Sequence, residues 1–144
     1  MHRLTHLLAL AATACLPALA AAQTPGCLEI ELRNVQPARG SLMVAAYADE
    51  AGFAAKAPVA SLQVRAGDAA TQRVVLCGVA SSTVALMAYQ DVNGNGKLDQ
   101  NLFGIPSEPW GASGTPAAAQ APTWTRTNVA VDAGTAPIVV RLSS

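Results

Sequence analysis

Leu28, Ile30 and Leu32 alternate with Glu29, Glu31 and Arg33, so one side of this segment is apolar and the other charged. A period of two marks a strand with one face on a core. Pro37 and Gly40 break the run, and residues 41–48 resume an extended pattern around Leu42, Val44 and Tyr47. Residues 49–58 read as a connection with a helical turn through Phe53, Ala54 and Ala55. In residues 59–65, Leu62 and Val64 alternate with Ser61, Gln63 and Arg65, and Gly67-Asp68 marks a turn. Residues 71–77 and 83–89 are further extended runs rich in Val and Leu, separated by residues 78–82. Residues 125–131 and 138–142 supply strands six and seven, joined across Gly134 and Pro137.

Seven short strands, regular turn signals and the absence of a long helical period predict an all-β fold. The expected form is a seven-stranded immunoglobulin-like or transthyretin-like β-sandwich. Residues 101–124 resist this pattern, carrying Pro106, Pro109, Pro116, Pro122 and the tract Ala117-Ala118-Ala119. A long insertion without regular structure in a small domain is functional or mobile.

The first residues have a different character. Met1-His2-Arg3 precedes an apolar run over 7–16, then Pro17 and the small residues Ala18, Ala20, Ala21 and Ala22, which reads as an N-terminal signal peptide over 1–22. The run is shorter than the ~20 residues of a membrane-spanning helix. Cys15 lacks the Leu-Ala-Gly type triplet that precedes an acylated cysteine, which argues against a lipoprotein anchor. Cleavage after Ala22 leaves residues 23–144 as a single domain, expected to be periplasmic or secreted, with no transmembrane segment.

Composition narrows the function. Nine Lys plus Arg balance nine Asp plus Glu, with only 12% of residues charged. Nucleic acid and anionic membrane surfaces both demand concentrated positive charge, so neither is the expected partner. An unknown envelope or extracellular ligand is. Removing the leader removes His2 and His6, the two histidines of the chain. Ser-His-Asp and Cys-His nucleophile systems, His-ligated zinc and histidine pH switches all need that imidazole. Alanine is abundant and adds little core volume, which predicts a thin core leaning on a disulfide or a metal.

Cys27 and Cys77 remain after cleavage, and an oxidising compartment makes a disulfide between them the default. Closing a loop of that length stabilises a fold by about 4 kcal/mol in the chain-entropy treatment.

The run Asp91-Val92-Asn93-Gly94-Asn95-Gly96-Lys97-Leu98-Asp99 carries the most specific chemistry. Oxygen-bearing side chains stand at positions one, three, five and nine, with glycine at six, as in a calcium loop. Asp91, Asn93, Asn95 and Asp99 are the side-chain ligand candidates, and Lys97 would ligate through its backbone carbonyl. The bidentate Glu expected at position twelve is replaced by Leu102, so Glu108 is the candidate additional ligand. The same segment contains Asn-Gly twice, the strongest short hairpin signal, and reads equally as a metal-free turn.

The run from Tyr89 through Asp99, continuing through Asn101, Gly104-Ile105-Pro106, Glu108-Pro109-Trp110-Gly111 and Ser113, resembles the bacterial domain-of-unknown-function family numbered 2141. The resemblance implies a small exported β-sandwich of uncharacterised activity. This chain departs from the family pattern at Gln90, where histidine is common, at Val92, where an acidic residue is common, and at Ala112 and Gly114, where Phe and Asn are common. The ligand candidates Asp91, Asn93, Asn95 and Asp99 are retained.

Phe103, Ile105, Pro106, Pro109 and Trp110 can fold as an apolar lid over one open end of the sandwich, with Glu108 facing metal or solvent. Trp110 and Trp124 admit two roles: a ligand-binding platform that stacks a sugar ring or peptide, or, as a thin core favours, packing residues. The sequence reading is therefore an exported, non-enzymatic, calcium-stabilised module with a binding or structural role in the cell envelope. Its rival is a carboxylate-dependent extracytoplasmic hydrolase built from Asp91, Asp99 and Glu108.

Overall fold

In the computed structural model, residues 26–116, 120–131 and 136–143 are described. The expected signal peptide, the Ala117–119 tract and Gly134 lie outside the described residues. The elements run β1 (Cys27–Arg33), β2 (Ser41–Tyr47), α1 (Glu50–Ala54), β3 (Ala60–Arg65), β4 (Thr71–Cys77), β5 (Thr83–Asp91), β6 (Trp110–Ala112), α2 (Trp124–Thr127), β7 (Asn128–Ala130) and β8 (Ile138–Arg141).

The fold is mostly β, in two sheets, consistent with an all-β sandwich. One sheet has the order β4-β1-β8 and the other β3-β2-β5-β6, with β7 also paired to β5. β1 runs antiparallel to β4 and parallel to β8. The alternation in β1 and β2 places Leu28, Ile30, Leu32, Leu42, Val44 and Ala46 inward, where they meet Val84, Leu86 and Ala88 of β5 and Val140 of β8. Burying each Leu, Ile or Val side chain contributes roughly 1.5–3 kcal/mol, so the aliphatic residues of β1, β2 and β5 dominate the core. Among the described residues the core cluster holds neither tryptophan.

Eight strands rather than seven lie among the described residues, because the stretch expected to be structureless contains β6. Three residues cannot display a period, yet they ladder onto β5 through Tyr89↔Trp110, Ala88↔Gly111 and Met87↔Ala112. A second correction concerns residues 125–127, which are helical in α2 rather than extended, so that β7 begins only at Asn128. Thr127 Oγ1 donates to the Thr123 carbonyl at 2.8 Å, and Asn128 Nδ2 donates to the Trp124 carbonyl at 2.8 Å. These side chain–backbone bonds override the strand preference of the threonines.

β6 and β7 pair along the same edge of β5, one after the other. Ser113 bridges the interval between them: its backbone N–H donates to the Leu86 carbonyl, its hydroxyl accepts from the Leu86 N–H at 2.8 Å, and that hydroxyl donates to the Thr127 carbonyl at 2.6 Å. The helical turn expected near Phe53 is α1, capped by Asp49, whose side chain accepts from the Gly52 N–H at 2.7 Å. Cys27 and Cys77 are register partners on β1 and β4, with Cα atoms 3.9 Å apart, and form the disulfide.

The outer faces of the two sheets differ. On the β4-β1-β8 sheet, Glu31 bridges Arg33 at 2.6 Å and Arg73 at 3.1 Å. On the other sheet the outward positions of β2, β5 and β6 include Met43, Ala45, Tyr47, Met87, Tyr89 and Trp110, so much of that face is apolar and aromatic, with Ser41 and Thr83 at strand ends.

Candidate functional site

Asp91 is the last residue of β5 and is 1% exposed. A carboxylate buried at a strand end needs donors, and the loop supplies three. Oδ1 accepts from the N–H groups of Gly94 at 2.7 Å and Asn95 at 3.1 Å, while Oδ2 accepts from the Gly96 N–H at 2.7 Å. The chain therefore wraps around this side chain, and Gly96 takes φ +76°, which glycine adopts without cost.

Within the wrapped loop, Asn93, Asn95 and Asp99 converge. The Asn93 side-chain amide donates to one Asp99 carboxylate oxygen, and that of Asn95 donates to the other at 2.9 Å. The amide oxygens of Asn93 and Asn95 accept from the N–H groups of Asn95 and Lys97 at 3.1 and 2.9 Å. The oxygen donors are hard and suit a calcium-type cation. Such an ion would need both amides turned over, presenting oxygen instead of nitrogen toward Asp99. Among the described residues, no three His, Cys, Asp or Glu side chains gather closely enough to hold a metal.

Glu108 is 6% exposed and closes the base of the loop. One oxygen accepts from the Val92 N–H at 2.8 Å and the other from the Asp99 N–H at 3.1 Å. It faces backbone rather than solvent. The two Asn-Gly pairs do not form a tight two-residue hairpin, since the strands joined here are β5 and β6, with residues 92–109 between them.

The apolar lid expected from this loop is not closed. Leu102, Phe103 and Ile105 are 101%, 86% and 58% exposed. They ride on a turn organised by Asn101, whose side-chain oxygen accepts from the Phe103 and Ile105 N–H groups.

Trp110 and Trp124, for which a core role is one expectation, are half-buried outside the core and line a groove of about 1370 Å³ on the outer face of the second sheet. Its floor is β2, β3, β5 and β6. Leu98, Gln100, Ile105 and Pro106 wall one end, and α1 and the segment entering α2 wall the other. There Phe53 stands edge-on between Tyr47 and Trp124, with ring centroids 5.3 and 6.2 Å away. Burial pushes the Tyr47 phenol up from its ordinary range. Tyr89 is raised by burial first and then by the negative charges of Asp91 and Glu108.

Two contributors escape the sequence reading. Gln90 is fully buried at an inward position of β5, where its side chain accepts from the Gln36 N–H and donates to the Gln36 and Arg39 carbonyls. Its signal is a polar residue in register with Val84, Leu86 and Ala88. Ser113 offers no such signal, because its partners Leu86 and Thr127 are distant in sequence.

Fold and site together define a small disulfide-bridged two-sheet β protein with a carboxylate-anchored loop beside an aromatic groove. No curated protein and no solved structure matches the chain. The profile of a bacterial family, described as "Uncharacterized protein conserved in bacteria (DUF2141)", matches residues 30–138. The chain belongs to that family.

Proposed function

We propose that this protein is an exported, non-enzymatic binding module of the cell envelope. The outer face of its second sheet is the binding surface, and calcium stiffens the loop that walls one end of it. The observation that carries the reading is the groove itself: a wide concave surface with half-buried aromatic rings on a sheet face, where a sandwich ordinarily presents polar residues to water. The leader-like N-terminus and the disulfide support export, since disulfides persist in oxidising compartments.

The non-catalytic part of the reading rests on how the carboxylates are used. A general acid or base must aim an oxygen at substrate. Asp91 and Glu108 direct both of their oxygens to backbone N–H groups of their own loop. The calcium part rests on the convergence of Asn93, Asn95 and Asp99 and on the tight wrap around Asp91. With the amides turned, Asp91, Asn93, Asn95, Asp99 and the Lys97 carbonyl would hold the ion, and its contribution is rigidity of the groove wall.

The test is thermal unfolding of the oxidised mature protein in excess chelator and then in millimolar calcium, with Asp91→Ala alongside. A ligand of the native state alone raises stability by mass action, by about 2.7 kcal/mol at a hundredfold excess over Kd. A rise of several degrees that the variant lacks is the expected result. Superimposable curves for the native protein would refute the calcium-stabilised loop.

A further inference from the structure

We infer that the outer-face groove takes an uncharged saccharide chain. This rests on the binding-module reading above and deepens it by naming the ligand class.

The first argument is charge. Of the groove-lining side chains among the described residues, only Glu50 and Lys56 are charged residues, and they have opposite signs and belong to the α1 end. The other polar lining groups are neutral, among them the amides of Gln63, Gln100 and Gln120 and the hydroxyls of Ser61, Thr123 and Ser143. A groove that tracked nucleic acid or an anionic polymer would need several cations along its length.

The second argument is the arrangement of rings. Tyr89 and Trp110 are cross-strand neighbours, and Met43 flanks Tyr89 on its other side. Four residues farther along β2, about 13 Å at the ordinary strand rise, stands Tyr47, with Phe53 and Trp124 beyond it. Two aromatic stations thus lie along one strand direction, with neutral amides and hydroxyls between and beside them. A pyranose ring has apolar C–H faces and a rim of hydroxyls that both donate and accept. Rings meet the faces, and glutamine and serine meet the rim, because those side chains also donate and accept. A chain of such rings would occupy both stations.

The third argument weighs against a peptide added as a strand across the rings. A peptide added as a strand requires free backbone groups at a sheet edge. The middle of the groove lies over β2 and β5, which are hydrogen-bonded on both sides, and only β3, at the margin of the sheet, offers a free edge. An acyl chain in turn gains nothing from the amides and hydroxyls that interrupt the apolar floor.

The experiment is native affinity electrophoresis of the oxidised mature protein through gels containing hydroxyethylcellulose, a soluble mixed-linkage β-glucan, galactomannan or soluble starch, with alginate as the anionic control. Trp110→Phe and Trp124→Ala are run in parallel, each checked for an unchanged unfolding transition, and 8-anilinonaphthalene-1-sulfonate fluorescence is read on the same samples. The expected result is retardation in at least one neutral gel and none in alginate, with affinity falling tenfold or more in Trp124→Ala and less in Trp110→Phe, which keeps a ring. Retardation only by alginate, or retardation indifferent to both tryptophans, overturns the inference. Absence of retardation in every neutral gel also overturns it. In that case dye binding lost in Trp124→Ala would leave the binding-module reading standing, and absence of dye binding would remove both.

Discussion

The Tyr89 hydroxyl donates a 3.1 Å hydrogen bond to the Gly96 carbonyl, so a ring that paves the groove floor is held by the backbone of the acidic loop. Trp110 sits beside that ring on the neighbouring strand. Ordering of the loop is therefore expected to reach a fluorescent reporter. Calcium added to the native protein should change tryptophan emission, and Tyr89→Phe should reduce that change by more than half while retaining the thermal response to calcium. Emission titrations of the two proteins check this, and equal responses would show that the contact transmits nothing.

Glu108 joins the two ends of the loop by accepting from Val92 and Asp99. Hydrogen bonds to a charged group contribute about 1.5–3 kcal/mol each, and the bared backbone donors lose their partner as well. Glu108→Ala should lower stability by about 3–6 kcal/mol, read from the urea midpoint at unchanged slope. A stability equal to that of the native protein, with loss of some hydrolytic turnover, is what the hydrolase alternative requires instead.

Gly40 and Gly96 both have positive φ, at +61° and +76°. Their surroundings separate them. A Cβ on Gly96 meets open space, whereas one on Gly40 would stand 1.9 Å from the Asp91 carbonyl oxygen. Gly96→Ala should thus lose only the left-handed backbone term, roughly 1–2 kcal/mol. Gly40→Ala should be far more damaging, because the backbone at the root of the site must move. Paired chemical denaturation curves test the order, and equal losses would refute the close approach.

Glu31 lies between Arg33 and Arg73, and its carboxyl is held below the ordinary value of 4.5, first by the Arg33 hydrogen bond and then by that of Arg73, against the opposing effect of burial. A depressed folded-state pKa means that the unfolded chain takes up the proton first as pH falls. The stability Glu31 contributes should be full above the unfolded value and decline as pH drops through the lower folded one. Melting temperature followed from pH 6 to pH 2 should fall less steeply for Glu31→Gln than for the native protein. Parallel profiles would remove Glu31 as a source of acid sensitivity.

Much of the scaffold was legible because β1 alternates apolar and charged residues, β2 buries every second side chain, and β5 is a long apolar run, each of seven residues or more. Period is a property of such runs, and β6 is too short to have one. α2 was hidden for a different reason: Thr125 and Thr127 carry strand-favouring side chains, and the bonds that turn them into a helix close only in the folded chain. At the site, the spacing of Asp91, Asn93, Asn95 and Asp99 disclosed which side chains would meet. It could not disclose that Glu108 closes the loop through backbone donors, since that depends on where residues 92–109 return to the sheet. The tryptophans were ambiguous because burial and display use the same residue, and only the second sheet's outward face decides between them.

The position of the disulfide has a consequence for a broken chain. Cys27 and Cys77 close residues 27–77 into a covalent ring that contains α1, while β5 through β8 hang outside it as a tail. A protease cut at α1 therefore opens the ring without dividing the molecule, which would migrate as one species until reductant is added. The same cut in residues 92–109 would release everything from β6 onward to its noncovalent pairings with β1 and β5. The two walls of the groove, alike in what they border, are thus unequal in what the protein loses when one is severed.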